Sequence, residues 1–129
     1  MPETGLTNSV EILVTPNLSA ASMGSGSLEV LATPALIAGM ENVCMNCVAP
    51  YLDEGSTSVG TLVNISHVAA TPVGMTVKCE SELIEVEGRK LVFTVKAYDE
   101  CGLIGEGNHE RFIVFSEKFM AKTNAKLSK

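Results

Sequence analysis

The sequence predicts an α+β fold: one long central helix wrapped by a roughly five-stranded antiparallel sheet. Three observations lead there. Residues 33–52 (TPALIAGMENVCMNCVAPYL) are apolar around most of a helical circumference and contain one charge, Glu41. A helix of that kind belongs inside a protein rather than on its surface. After it come four long stretches rich in β-branched residues, separated by short Gly-containing turns, which is the pattern of an antiparallel meander. Strands with one apolar face need a cover and an apolar helix needs surroundings, so the sheet must wrap the helix.

The first strand is read at 9–15 (SVEILVT), ended by Thr15-Pro16-Asn17. The stretch 17–27 (NLSAASMGSGS) is small, polar and rich in Gly and Ser, and reads as a connecting loop with the freedom to act as a lid. Ser27–Ala32 reads as a short strand running into the helix. Thr33 is placed to cap that helix, with Pro34 at its first position, where a missing N–H costs nothing. Pro50 cannot continue the helix and ends it near Ala49. Strands follow at 57–70, 75–86, 91–99 and 103–116. In the third of these Leu91, Phe93, Val95 and Ala97 alternate onto one face. Gly60, inside a strand, predicts a bulge or a close approach. Lys118, Lys122 and Lys126, four apart, fit a short terminal helix with a basic edge.

The chain has 129 residues, 46% of them hydrophobic and 19% charged, with a net charge of −6. That length predicts a single domain, residues 1–129, with a sizeable core. The acidic balance argues against nucleic acid or an anionic membrane as partner. Residues 1–117 hold five basic and fifteen acidic residues, a balance of −10, while residues 118–129 carry four lysines and no acid. The N-terminus lacks a basic segment ahead of an apolar run, and the apolar helix is broken by Gly39, Glu41, Asn42, Asn46 and Pro50. Neither a signal peptide nor a membrane span is expected, and the four cysteines are read as reduced thiols of a cytoplasmic protein.

Chemistry is sought where a residue departs from its surroundings. Glu41 is a lone acid in an apolar helix, so it must be paired or functional. Thr33 lies eight residues earlier, about 12 Å away along the axis and about 80° around it. If both act in one reaction, a substrate, a water, a histidine or a second chain must bridge them. His67 closes a strand just before the Ala-Ala-Thr-Pro turn and is placed for a cleft as a general base. His109 and Arg111 share a strand face, where Arg111 holds an anion or a carbonyl, or forms a cross-strand ion pair. Cys44 and Cys47 read as small buried apolar residues, since no further ligands are spaced for zinc, and no metal is expected. Gly105-Glu106-Gly107 lacks the third glycine and the strand-turn-helix setting of a dinucleotide loop.

Taken together, LATPALIAGMENVC, SVGT, NISHVAATPVGMTV, VEGRKLVFTV and IGEGNHERFIVFSEKF resemble, in order and spacing, the fluoroacetyl-CoA thioesterase group of hotdog-fold proteins, over residues 28–122. The resemblance implies a homodimer, or a dimer of dimers, whose sheets join edge to edge and whose active sites lie near the interface. It implies hydrolysis of a short-chain acyl-CoA to free acid and CoA, with no metal and no cofactor. It places the catalytic roles on Thr33, Glu41 and His67, and contact with the acyl group on Gly60 and Arg111. A thioester carbonyl needs a nucleophile or activated water, a base and oxyanion donors. Thr33 supplies the hydroxyl as nucleophile or orients water, His67 takes the proton, and Glu41 orients the histidine or is itself the base. Lys118, Lys122 or Arg89 are candidates to meet the CoA phosphates. One departure stands out. The fluoroacetate-specific member gates its acyl pocket with bulky aromatic residues, and NLSAASMGSGS has none, so fluoroacetyl specificity does not carry over. Other readings on the same fold are a hydratase or dehydratase acting on an acyl thioester, or a non-catalytic acyl-CoA binding module.

Overall fold

The computed structural model describes residues 1–128. Its elements are β1 (Thr7–Leu13), a 3-10 turn at Pro16–Leu18, α1 (Ala20–Met23), α2 (Thr33–Val48), a 3-10 turn at Ala49–Tyr51, β2 (Ser56–His67), β3 (Thr76–Glu87), β4 (Lys90–Asp99), β5 (Gly102–Phe115) and α3 (Ser116–Asn124), followed by a 3-10 turn at Ala125–Ser128. The five strands form one antiparallel sheet in the order β1-β3-β4-β5-β2. Three of the long strands, β3, β4 and β5, fall within one residue of their predicted limits, whereas β2 ends at His67, three residues before its predicted end at 70. Val77, Cys79, Ser81 and Leu83 of β3 and Leu91, Phe93, Val95 and Ala97 of β4 point inward onto α2. Opposite them Leu36, Met40, Val43, Cys44, Cys47 and Val48 of α2 complete the core. The helix crosses close to the sheet at Gly39, where a Cβ would lie 2.5 Å from Ile12 Cδ1.

Four local expectations are corrected. Thr33 is not the cap of α2. Ala32 occupies that position in extended backbone, and no side chain caps the helix. Thr33 is the first helical residue and Pro34 the second, so the Thr33 hydroxyl is free for another partner. Ser27–Ala32 forms no strand, making only the isolated bridges Ser19–Leu31 and Val30–Pro72. The 17–27 stretch is not simply a loop, since it holds α1, capped by the Ser19 hydroxyl accepting from Ser22 N at 3.1 Å and ended by Gly24 at φ +75°. Lastly, α2 is not buried all round: Pro34, Ala38, Asn42 and Asn46, spaced four apart, form an exposed stripe.

Both long sheet edges are open in the single chain. On β2, Leu62 and Val63 are 44% and 43% exposed. No helix among the described residues is long and apolar enough to cross a membrane.

Candidate active site

Two groups of polar residues form at opposite ends of β2. At its C-terminal end Thr33 Oγ1 lies 2.7 Å from His67 Nδ1. With the threonine hydroxyl as donor, Nδ1 accepts and the ring proton resides on Nε2, the tautomer a base toward Thr33 requires. His67 Nε2 is buried and has no hydrogen-bond partner among the described residues. Burial pushes the His67 pKa below its ordinary 6.5, with the Ala69 backbone pulling weakly the other way. A neutral imidazole accepting from a hydroxyl is the arrangement of a base poised to take that proton. The couple opens into a 290 Å³ cleft with walls formed by Ala20 and Ser25 near α1, Val30 and Leu31 before α2, and Val68–Ala70 after β2. No Phe, Tyr or Trp side chain lines it. A larger depression of 720 Å³ lies on the outer face of the sheet by Glu80, Lys96 and Tyr98 and contains none of the predicted site residues.

The second group gathers around Gly60. The chain bulges between Gly60 and Leu62 against β5. A Cβ at Gly60 would meet Glu41 Oε2 at 2.9 Å, His109 Cε1 at 3.2 Å and Arg111 Nη1 at 3.6 Å. A Cβ here would displace the Glu41 carboxylate, so both a bulge and a close approach, the two alternatives predicted for a glycine within this strand, occur at Gly60. Arg111 is 5% exposed and held on three sides. Its Nε donates to Ser58 Oγ at 2.7 Å, its Nη2 to the Ser58 carbonyl at 2.8 Å, and its Nη1 to His109 Nε2 at 3.1 Å. His109 in turn donates from Nδ1 to the Leu62 carbonyl at 2.8 Å, which leaves Nε2 as acceptor for the arginine. Burial first, and then the neighbouring guanidinium, keep the His109 pKa low, against the opposing pull of the Leu62 carbonyl and of Glu41. Three of the five guanidinium N–H groups are engaged, leaving two without a partner among the described residues. Arg111 is not in a cross-strand ion pair, and Glu41 is half-buried with no hydrogen bond or ion pair among the described residues.

Within one chain, then, the structure joins Thr33 to His67 and places Glu41 and Arg111 beside Gly60, but does not bring the two groups together. Sequence reasoning missed Ser58 as the partner of Arg111. The alternation that puts His109 and Arg111 on one face signalled part of that network. Cys44 and Cys47 are buried free thiols, and burial pushes Cys44 up to about 12, an unreactive thiol. Arg89 is exposed and stacks its guanidinium 5.4 Å above the Phe112 ring, and Lys118 and Lys122 stand exposed on α3.

A sequence model of the family described as "Fluoroacetyl-CoA-specific thioesterase" matches residues 14–117. The chain belongs to this family. The fluoroacetyl-CoA thioesterase of Streptantibioticus cattleyicolor is 46% identical over 98 residues, covering 76% of this chain and 70% of that one. A solved structure of fluoroacetyl-CoA thioesterase superposes with a TM-score of 0.92 at 36% identity, covering 98% of both chains. A thioesterase superfamily member from Thermus thermophilus is 29% identical with a TM-score of 0.90, covering 98% of this chain and 93% of that one. The helix wrapped by five antiparallel strands is therefore the hotdog fold, as the resemblance implied, and this family member is a thioester hydrolase.

Proposed function

We propose that the protein hydrolyses a short-chain acyl-CoA to the free acid and CoA, at a site completed by a second copy of the chain. The observation that carries this reading is the Thr33–His67 couple with a buried, unpartnered Nε2 behind it. A hydroxyl–imidazole pair activates a nucleophile when a third group orients the imidazole. That group is missing within the chain, while Glu41 has a carboxylate without a donor.

A dimer supplies the link. The apolar, unpaired β2 edge favours pairing with another strand. If two β2 edges pair antiparallel about a twofold axis between Val63 and Asn64, Gly60 falls opposite His67 of the partner subunit. Glu41, which touches Gly60, then approaches the unpartnered Nε2. Each dimer would hold two such composite sites.

In that site Thr33 Oγ attacks the thioester carbonyl carbon as His67 Nδ1 takes its proton. The C–S bond breaks, and His67 returns the proton to the departing CoA sulfur. Water activated by the same imidazole then cleaves the acyl-threonine ester and frees the acid. Glu41 stabilises the transient imidazolium, and the free N–H groups of Arg111, beside Gly60, hold the acyl end. Arg89, Lys118 and Lys122 are exposed to receive the CoA phosphates. The small residues lining the cleft suit a compact acyl group without dictating fluoroacetyl.

The test is release of free thiol from a panel of small acyl-CoA esters. Thr33→Ala, Glu41→Gln and His67→Ala are each expected to lower the rate at least ~100-fold, the scale of a lost nucleophile or acid–base group. Unchanged rates in all three would refute the assignment. Composite sites make a sharper demand. Mixing inactive Thr33→Ala chains with inactive Glu41→Gln chains should restore about a quarter of wild-type activity, since half the dimers are mixed and each holds one intact site. Full activity from an isolated monomer, or no recovery in verified mixed dimers, would defeat the two-chain reading.

A further inference from the structure

The Thr33–His67 contact joins two segments that come from distant parts of the chain, one at the start of α2 and the other at the end of β2. Thr33 follows Val30–Ala32, an irregular stretch preceded by the Gly/Ser-rich region. His67 is the last residue of an edge strand. The two segments meet again at Thr71. Its carbonyl accepts from Leu31 N at 2.8 Å, two residues before Thr33, and Pro72 bridges Val30. Four residues back along the chain from Thr71 is His67, and the intervening Val68 N and Ala69 N both donate to the Ile104 carbonyl.

Thr71 is fully buried, and its hydroxyl donates to Asp99 Oδ2 at 2.9 Å. Asp99 stands at the end of β4, and its other oxygen accepts from Cys101 N at 2.8 Å in the β4–β5 turn. One carboxylate thus fixes the turn of the sheet to a buried hydroxyl, and the same threonine ties down the segment carrying Thr33. A hydrogen bond to a carboxylate is stronger and more directional than one between neutral groups, which suits it to holding a register.

We infer that Thr71 and Asp99 are positioning residues for the reaction: together they set the distance between the Thr33 hydroxyl and His67 without touching substrate. This rests on the Thr33–His67 reading above. It goes beyond it by assigning a role to a pair about which the activity alone says nothing. Nucleophile–base geometry tolerates little error, and a shift of about 1 Å at such a contact can cost about 100-fold in rate.

The test uses full-length protein at a temperature where near-UV circular dichroism shows every variant folded. Thr71→Val keeps the shape and removes the hydroxyl. It is expected to lower kcat at least ~10-fold with KM within ~2-fold, the mark of an interaction felt at the chemical step rather than in binding. Thr71→Ser, which restores a hydroxyl, should recover most of that loss. Asp99→Ala should lower kcat likewise, and the double variant should be no slower than the worse single one, because the two act as one unit. Thr33→Ala serves as the control. If it is inactive while Thr71→Val keeps wild-type kcat, the positioning role is overturned and the active-site assignment stands. If Thr33→Ala is itself fully active, both fall. A Thr71→Val variant that only melts earlier, or single losses that multiply in the double variant, would also overturn it.

Discussion

Glu41 Oε2 occupies the space that a Cβ at Gly60 would need, approaching that point to 2.9 Å. The neighbour is the far end of a flexible side chain, and His109 Cε1 at 3.2 Å is the next nearest atom. Gly60→Ala should therefore be tolerated by the fold, because the carboxylate can swing aside, yet harm the site by moving it. The expected outcome is a melting temperature within a few degrees of wild type, and kcat lowered at least ~10-fold by misplacement of Glu41. Thiol release and thermal melts on the same preparation check it. A fully active Gly60→Ala protein would detach Glu41 from the reaction.

The pH dependence divides between the two histidines. His109 is 1% exposed, and its folded pKa lies below the ordinary 6.5, mainly through burial. Unfolded chains take up that proton near 6.5, so below this value the unfolded state binds more protons than the folded one. The contribution of His109 is thus intact above pH 6.5 and is lost as pH falls from there through its folded pKa. Urea titrations across that window should record the decline. At His67 burial also lowers the pKa, whereas a facing carboxylate favours the imidazolium. Glu41→Gln should therefore move the His67 titration to lower pH. With only two histidines in the chain, their imidazole proton resonances give both values directly. An unmoved His67 titration would show that Glu41 faces another group.

How much of this was legible in the sequence depends on how local each cause is. The alternation of Leu91, Phe93, Val95 and Ala97 fixed a strand and its inner face, because the period of two admits a single register. Pro50 marked the end of α2, and Gly60, read as either a bulge or a close approach, proves to be a bulge with the Glu41 carboxylate beside it. Thr33 was misread as a cap, since capping competes with any partner that tertiary structure brings near, and that partner, His67, lies 34 residues away. The helix α1 was hidden by small residues, although Ser19 and Gly24 carried its start and stop signals. Ser58, 53 residues from Arg111, could not be found by spacing at all. Nor could the Thr71–Asp99 contact, which depends on how the β4–β5 turn folds over the loop after β2.

Arg111 illustrates a buried charge whose identity matters more than its sign. Its fork spans the Ser58 hydroxyl, the Ser58 carbonyl and His109 Nε2 at once. A lysine at this position has the charge but cannot reach all three acceptors from one nitrogen. Arg111→Lys is expected to destabilise the folded protein by about 1–3 kcal/mol, the cost of leaving buried polar groups unpaired. It should also lower activity, because the two N–H groups available to the acyl end disappear. Denaturant unfolding reports the first effect and thiol release the second. A variant as stable and active as wild type would mean that the network merely fills space.

The β2 edge offers the most direct test of assembly. Leu62 and Val63 leave apolar surface beside unpaired backbone groups at the middle of a 12-residue strand. An edge of that length is a template for another strand, and placing a charge on it is how proteins discourage such pairing. Val63→Arg sits next to the inferred twofold axis, so each dimer would bring two like charges together. The expected result is a monomer in sedimentation, folded by circular dichroism, with thiol release lowered at least ~100-fold because no chain then completes its own site. Glu at the same position paired with Arg in a co-expressed second chain should restore both the dimer and the activity, since opposite charges replace like ones at the axis. A Val63→Arg monomer that turns over at the wild-type rate would place the whole reaction within one chain. Glu41 would then act apart from Thr33, which sits about 12 Å away along the same helix whatever movement α2 makes against β2.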